Sequence, residues 1–185
     1  MALEIERRFL VAGGEAWRPH VIGEQALRQG YLAAERDGFT VRVRCAAAEA
    51  GKGADGGNGR AWLTLKAPTG GLARHEFEYP IPSEEAATLL DLAPVTLSKR
   101  RYSLDLSGGD WVLDVFEGVN APLVIAEVEL ERADQPVPLP PWCSWEITGL
   151  GELSNAALAH HPFERWEAEP RRWILQHLGG SEAAP

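Results

Sequence analysis

Like-charged residues recur two apart along this chain, interleaved with apolar ones. Glu4 and Glu6, Arg42 and Arg44, Glu76 and Glu78, Lys99 and Arg101, and Glu127 and Glu129 all keep that spacing. In an extended strand, residues i and i+2 share a face, so each pair sets charges of one sign side by side. Such neighbours repel unless something of opposite sign lies between them. The question the sequence poses is what lies between these charges.

Read in order, the alternation predicts eight strands. They cover residues 3–11, 26–32, 39–45, 60–67, 72–81, 96–106, 111–117 and 123–132. Gly13, Gly14 and Pro19 make residues 12–23 a loop, and Gly30 is a candidate bulge. Residues 46–59 are mostly Ala, Gly, Asp and Asn and read as a flexible hairpin connection, and Pro68–Gly71 is a turn. Pro82-Ser83-Glu84-Glu85 predicts a helix start with Ser83 as N-cap, and Pro94 stops that helix. Beyond the PVPLPP connector (136–141) come a short extended segment at 146–148 and a helix around 153–159. A last helix has Pro170 in its first turn. One domain over residues 1–178 with a frayed 179–185 tail is the simplest division of 185 residues.

A net charge of -9 and a pI near 5.1 argue against broad nucleic-acid binding, though a local basic cluster can still focus its field inside a cleft. Cys45 and Cys143 form no CxxC or Cys/His spacing, so neither a zinc site nor a disulfide framework is expected. With no secretory signal and no membrane-spanning run, the expectation is a soluble cytoplasmic protein without nucleic-acid or membrane partners. A homodimer is left open.

The polar faces admit two readings. In the plain one, an antiparallel sheet keeps a solvated face laced with salt bridges. In the sharper one, the sheet closes into a barrel with its charged faces inward, which also removes the edge strands. Arg and Lys on one part of the lumen and carboxylates on another would suit a polyphosphate carrying a divalent metal. Guanidinium groups grip phosphate oxygens bidentately, and carboxylates hold hard cations such as Mg2+ or Mn2+.

At this point a resemblance enters. Glu4-Ile5-Glu6-Arg7-Arg8 is close to the ExExK signature of the CYTH proteins, the triphosphate tunnel metalloenzymes. LRQGYL (27–32), VRVR (41–44), LTLK (63–66), GGLARHEFE (70–78), SKRRY (98–102), LDVFEG (113–118), EVELE (127–131) and NAALA (155–159) continue it in order. The resemblance implies a mainly-β α+β fold, an eight-stranded antiparallel closed tunnel barrel with a few helices packed outside and at the C-terminus. It implies divalent-metal-dependent hydrolysis of a triphosphate, with inorganic triphosphate first. A nucleoside or thiamine triphosphatase, or the adenylate cyclase of the same family, is the alternative, and a non-catalytic polyphosphate- or nucleotide-binding module is the rival from another class.

By the same resemblance Glu4, Glu6, Glu127 and Glu129 are metal ligands, with Asp114, Glu76 and Glu78 as lesser candidates for Mg2+ or Mn2+. Arg42, Arg44, Lys66, Arg74, Lys99 and Arg101 hold the phosphates, and Arg8, Tyr31 and Lys99 are the catalytic candidates. One departure matters. The signature lysine, which in some similar proteins pairs with a tyrosine at the position of Tyr31, is Arg8 here. A guanidinium keeps its proton near neutral pH, so Arg8 can position phosphate but cannot serve as a base. Other residues have structural readings. His75 shares the apolar face of its strand with Phe77 and Tyr79, His160-His161 reads as a cap or surface feature, and Trp142, Trp145, Trp166 and Trp173 read as packing for the C-terminal helices. Glu131 falls beyond the tunnel mouth.

Overall fold

A computed structural model describes residues 3–34, 39–47, 59–69 and 73–179. Most of the predicted 46–59 connection, part of the 68–71 turn and the tail beyond 179 lie outside the described residues. The elements in chain order are β1 (Leu3–Val11), β2 (Val21–Ala34), β3 (Thr40–Ala46), β4 (Arg60–Pro68), β5 (Ala73–Pro80) and α1 (Ser83–Leu92). There follow β6 (Val95–Leu104), β7 (Asp110–Phe116), β8 (Val124–Glu129), β9 (Cys143–Glu146), α2 (Asn155–His160) and α3 (Ala168–Gly179).

Eight of these strands close a barrel. Starting from β1 the order runs β5, β4, β3, β2, β6, β7, β8 and back to β1, every neighbour antiparallel. One edge of β1 is shared: residues 3–5 pair with β5, while Phe9–Val11 pair with β9. The strand β9 thus covers the stretch of β1 that β5 does not reach. The fold is a closed eight-stranded antiparallel barrel with three α-helices, as the alternation and the resemblance predict.

Local details differ from the expectations. Strand β2 begins at Val21 rather than Ala26, because its first residues find partners in Ser103 and Leu104 of β6. The late extended segment is Cys143–Glu146, set by pairing with β1, rather than residues 146–148. Ser83 is the first helical residue of α1, and its hydroxyl donates to the Gly59 carbonyl instead of capping the helix.

Strand parity decides what the barrel encloses. Glu4, Glu6, Arg8 and Leu10 of β1 share the inner face, as do Leu97, Lys99 and Arg101 of β6 and Ile125, Glu127 and Glu129 of β8. The interior therefore changes character along its axis. At one end Leu10, Leu97, Phe116 and Ile125 are buried with Leu153, Leu158, Phe163, Ile174 and Leu178 from the C-terminal segment. At the other end the same strands present charge.

The outer face is covered in patches. Ala86 and Leu90 of α1 pack on Val43 and Ala61, and Gly30 permits that approach, since a Cβ there would lie 2.8 Å from the Ala93 Cβ. A second cluster buries Phe9, Trp111 and Trp142. His75 stacks on Phe77, but the outer face of β5 is open, with Phe77 40% and Tyr79 54% exposed. Trp145 and Trp173 meet edge-on at 5.4 Å, which fastens α3 to β9. Among the described residues no helix is long and apolar enough to cross a membrane.

Candidate active site

The charged end of the barrel is a cavity of about 660 Å3. Among the described residues six cations line it, Arg8, Arg42, Arg44, Lys66, Arg74 and Arg101, with six carboxylates, Glu4, Glu6, Glu76, Glu78, Glu127 and Glu129. Residues from Gly151 to His160 border it from the helical side. Two predicted site residues are held beneath the wall rather than on it: Lys99 and Asp114 are both fully buried.

The deepest part is a network built across β1, β6, β7 and β8. Arg101 grips Asp114 through two hydrogen bonds of 2.7 Å, and its Nη2 also donates to Glu127 at 2.7 Å. Arg8 Nε donates to the other Glu127 oxygen at 3.1 Å, and Arg8 Nη2 donates to the Leu153 carbonyl at 3.0 Å. Lys99 Nζ donates to Asp114 at 2.5 Å and to Asn155 Oδ1 at 3.1 Å. Burial alone would raise Glu127, but Arg101, Lys99 and Arg8 hold its carboxyl well below the usual carboxylate range. Burial pushes Lys99 down to about 8, partly offset by Asp114. Both Asp114 oxygens are taken by cations of the chain.

Along β3, β4 and β5 the pattern is different. Arg42 lies 3.7 Å from Glu76 and 3.6 Å from Glu78, and its Nη2 donates to Thr64 at 3.3 Å. Arg44 Nη2 donates to Glu78 at 3.0 Å. Yet the Nε of Arg42 and the Nε of Arg44 are both buried without any hydrogen-bond partner. Burial lowers the pKa of Arg44; Glu78 opposes that, and the nearby Arg42 and Arg101 add to it. Two cations crowd here with donors unused. An unpaired buried N–H is costly, and an anion entering the cavity would relieve it.

The carboxylates of β1 and β8 crowd one another. Glu6 stands in register with Glu129 across the β1–β8 pair. Burial, Glu127 and Glu4 raise the Glu6 carboxyl, and burial, Glu4, Asp110 and Glu6 raise Glu129. Glu4 is raised by burial despite Lys66, with Glu76 adding to the shift. Lys66 bonds Glu4 at 2.7 and 2.9 Å and approaches Glu76 at 3.2 Å, while Arg74 holds Glu6 at 2.9 Å. Among the described residues no three His, Cys, Asp or Glu side chains form a ready metal cage. The donor chemistry still fits a hard divalent cation: oxygen ligands alone, with Glu4, Glu6 and Glu129 close enough to raise one another's carboxyl pKa.

Tyr31 lines the same cavity, 2% exposed, and its hydroxyl donates to Gln29 at 3.1 Å. Burial pushes its phenol up to about 12, against the pull of Arg42. Arg8 makes no hydrogen bond to it, its donors going to Glu127 and Leu153.

The cavity also holds residues that the charge pattern did not single out, among them Gln29, Asn155 and His160. Thr64 links Arg42 to Glu78 from the same wall. Thr64 carried the only readable signal, sitting between Trp62 and Lys66 on a polar face. Asn155 and His160 come from α2, whose docking no local pattern announces.

Residues 2–155 match the CYTH domain family. An inorganic triphosphatase of Acetivibrio thermocellus is 34% identical over 170 residues, covering 90% of this chain and 99% of its own. An inorganic triphosphatase of Nitrosomonas europaea is 37% identical over 163 residues, covering 84% of this chain and 96% of its own. The crystal structure of the inorganic triphosphatase NE1496 superposes with a TM-score of 0.56 at 32% identity, covering 86% of this chain and 95% of that one.

Proposed function

The chain belongs to the CYTH domain family, and from that premise we propose that it hydrolyses inorganic triphosphate to diphosphate and phosphate with the help of a divalent cation. The observation that carries this reading is the double excess in one cavity: buried guanidinium donors without partners face carboxylates that raise one another's pKa. A triphosphate satisfies the first set and a divalent cation the second. The inorganic triphosphatases among the relatives support the choice of substrate.

In this reading Arg42 and Arg44 hold phosphate oxygens, and their Nε–H groups gain the acceptors they now lack. Lys66 and Arg74, bound to Glu4 and Glu6, line the same cavity and would add positive charge beside the phosphates. Arg8 and Arg101 face the cavity beside Glu127 and neutralise charge that grows as the bridging P–O bond breaks. Glu4, Glu6, Glu127 and Glu129 would hold Mg2+ or Mn2+, which would supply Lewis-acid neutralisation of phosphate oxygens. Glu76 and Glu78 stay with their cations and set the orientation of Arg42 and Arg44. Lys99 and Asp114 act from beneath, fixing Arg101. In-line attack forms one bond from a water oxygen to the terminal phosphorus and breaks one to the leaving diphosphate.

Steady-state phosphate release with inorganic triphosphate and Mg2+ tests the assignment. Arg44→Ala should raise KM about tenfold or more, the scale of a lost charge-assisted hydrogen bond. Unchanged kinetics in Arg42→Ala and Arg44→Ala would remove both residues from the phosphate site.

A further inference from the structure

Asn155 opens α2, and none of the roles above uses it. The helix does not need its side chain as a cap, because Ser154 Oγ already accepts the Ala157 N–H at 3.2 Å. Its Oδ1 instead accepts from Lys99 Nζ. Among the described residues that ammonium has two oxygen acceptors, with Arg101 and Glu127 also close enough to act on its charge. One oxygen partner is Asp114, the other is Asn155, and the Phe116 ring centre lies 5.5 Å away. A fully buried ammonium has three protons to place, so losing one of two oxygen acceptors leaves a donor facing apolar neighbours.

The bonds then continue without a break. From Asn155 they pass through Lys99, Asp114, Arg101, Glu127 and Arg8 to the Leu153 carbonyl. Both ends of the chain of bonds therefore land on one short segment, two residues apart. Lys99 and Arg101 share a single Asp114 oxygen, so the place of one ammonium sets the geometry open to one guanidinium. Arg101 is the member of that pair that reaches the cavity.

We propose that Asn155 is a positioning residue of this cavity, acting through Lys99 and the Asp114 oxygen that Lys99 shares to fix where Arg101 presents its guanidinium to the bound anion. The assignment rests on the triphosphate reading for the identity of that anion and on the hydrogen-bond ring for everything else. Asn155 touches no reacting atom. It makes the start of α2 part of the phosphate-holding wall rather than a cover over it.

The test compares wild type with Asn155→Ala and Asn155→Asp, using inorganic triphosphate and Mg2+. Calorimetric affinity is measured beside KM and kcat, so that binding is read even without turnover. Asn155→Ala should weaken binding and raise KM about tenfold while kcat stays within about twofold, the pattern of lost uniform binding. Asn155→Asp keeps an oxygen for Lys99 and should bring KM back to within about threefold of wild type. In a Lys99→Met background, where the acceptor has nothing to receive, Asn155→Ala should add no further loss of affinity. If Lys99→Met does not fold, the Ala and Asp variants decide alone. Equal affinity in wild type and Asn155→Ala would overturn the proposal, as would a loss in Asn155→Ala that Asn155→Asp does not repair. Wild type that binds triphosphate without cleaving it would sink the hydrolase reading and leave the Asn155 comparison intact. Wild type that neither binds nor cleaves would sink both.

Discussion

Glu6 and Glu129 stand directly opposite each other on β1 and β8, two carboxylates in register on the face that lines the cavity. Like charges in that relation destabilise a sheet. Removing one should therefore stabilise the protein in EDTA and, on the proposed metal-holding role, weaken its response to metal. Glu6→Gln keeps an acceptor for Arg74, and in EDTA it should gain about 0.5 kcal/mol, or roughly 1–2 °C in melting temperature. Metal-stimulated phosphate release should be lost in the same variant. A lower melting temperature would mean that the Glu6–Arg74 ion pair outweighs the repulsion.

The pH dependence of stability follows from the signs of the shifts. Glu4, Glu6 and Glu129 are raised from the ordinary carboxylate value of 4.5, so the folded state takes up protons before the unfolded chain does. Their contribution is fully present below 4.5 and is lost as pH rises through the raised values. Glu127 is lowered, so its contribution is present above 4.5 and is lost as pH falls through its depressed value. In EDTA the melting temperature should be flat or rise as pH falls from neutral toward 4.5, then drop on further acidification. Glu6→Gln should flatten the first part, and thermal scans across that range check both limbs.

The unused Nε–H groups of Arg42 and Arg44 give a spectroscopic prediction. Saturation with inorganic triphosphate and Mg2+ should shift both side-chain 15N–1H resonances and slow their exchange with solvent. The exposed Arg132, tied to Asp134 on the surface, serves as an internal reference and should not move. Unmoved Arg42 and Arg44 signals at saturation would place the phosphate elsewhere.

Tyr31 offers a clean separation of two mechanisms. Its phenol is buried, pushed up to about 12 and engaged with Gln29, so it keeps its proton at neutral pH. Tyr31→Phe should leave kcat within about threefold, because only contacts of the hydroxyl with Gln29 and Arg42 are lost and no base is removed. A fall of about a hundredfold or more is what general-base catalysis by Tyr31 would require. Arg8→Lys is the companion experiment. The Arg8 guanidinium serves Glu127 and Leu153 at once, and an ammonium on a different stem does not reproduce that fork. The variant should lose about 1–2 kcal/mol of stability in chemical denaturation.

The strands were legible in the sequence because a period of two is all that a strand needs, while closure into a barrel rested on the resemblance. Glu4, Glu6 and Arg8 against Ile5, Arg7 and Phe9 set the faces of β1, and seven more segments repeat the pattern. Depth was not legible. Lys99 and Arg101 share a spacing, a face and a charge sign, yet one is fully buried and the other reaches the cavity. Lys99 lies nearer the apolar end that the C-terminal segment closes, where Asn155, 56 residues away, accepts its hydrogen bond. Leu10 follows Arg8 on the same inner face, so the change from charged to apolar interior was written in β1. Its meaning depended on Leu153 and Leu158 arriving to complete the apolar end. The early start of β2 was hidden by Gly13, Gly14 and Pro19, which mark a loop but not where it ends.

The central claim is that the two crowded walls of one cavity are completed by a triphosphate and a divalent cation. The most direct measurement is phosphate release by the purified protein from inorganic triphosphate, ATP and thiamine triphosphate, each with Mg2+, Mn2+ or EDTA. The account predicts rapid cleavage of inorganic triphosphate, slower cleavage of the other two, and none in EDTA. Release that survives EDTA, or no release from inorganic triphosphate with either metal, would contradict it.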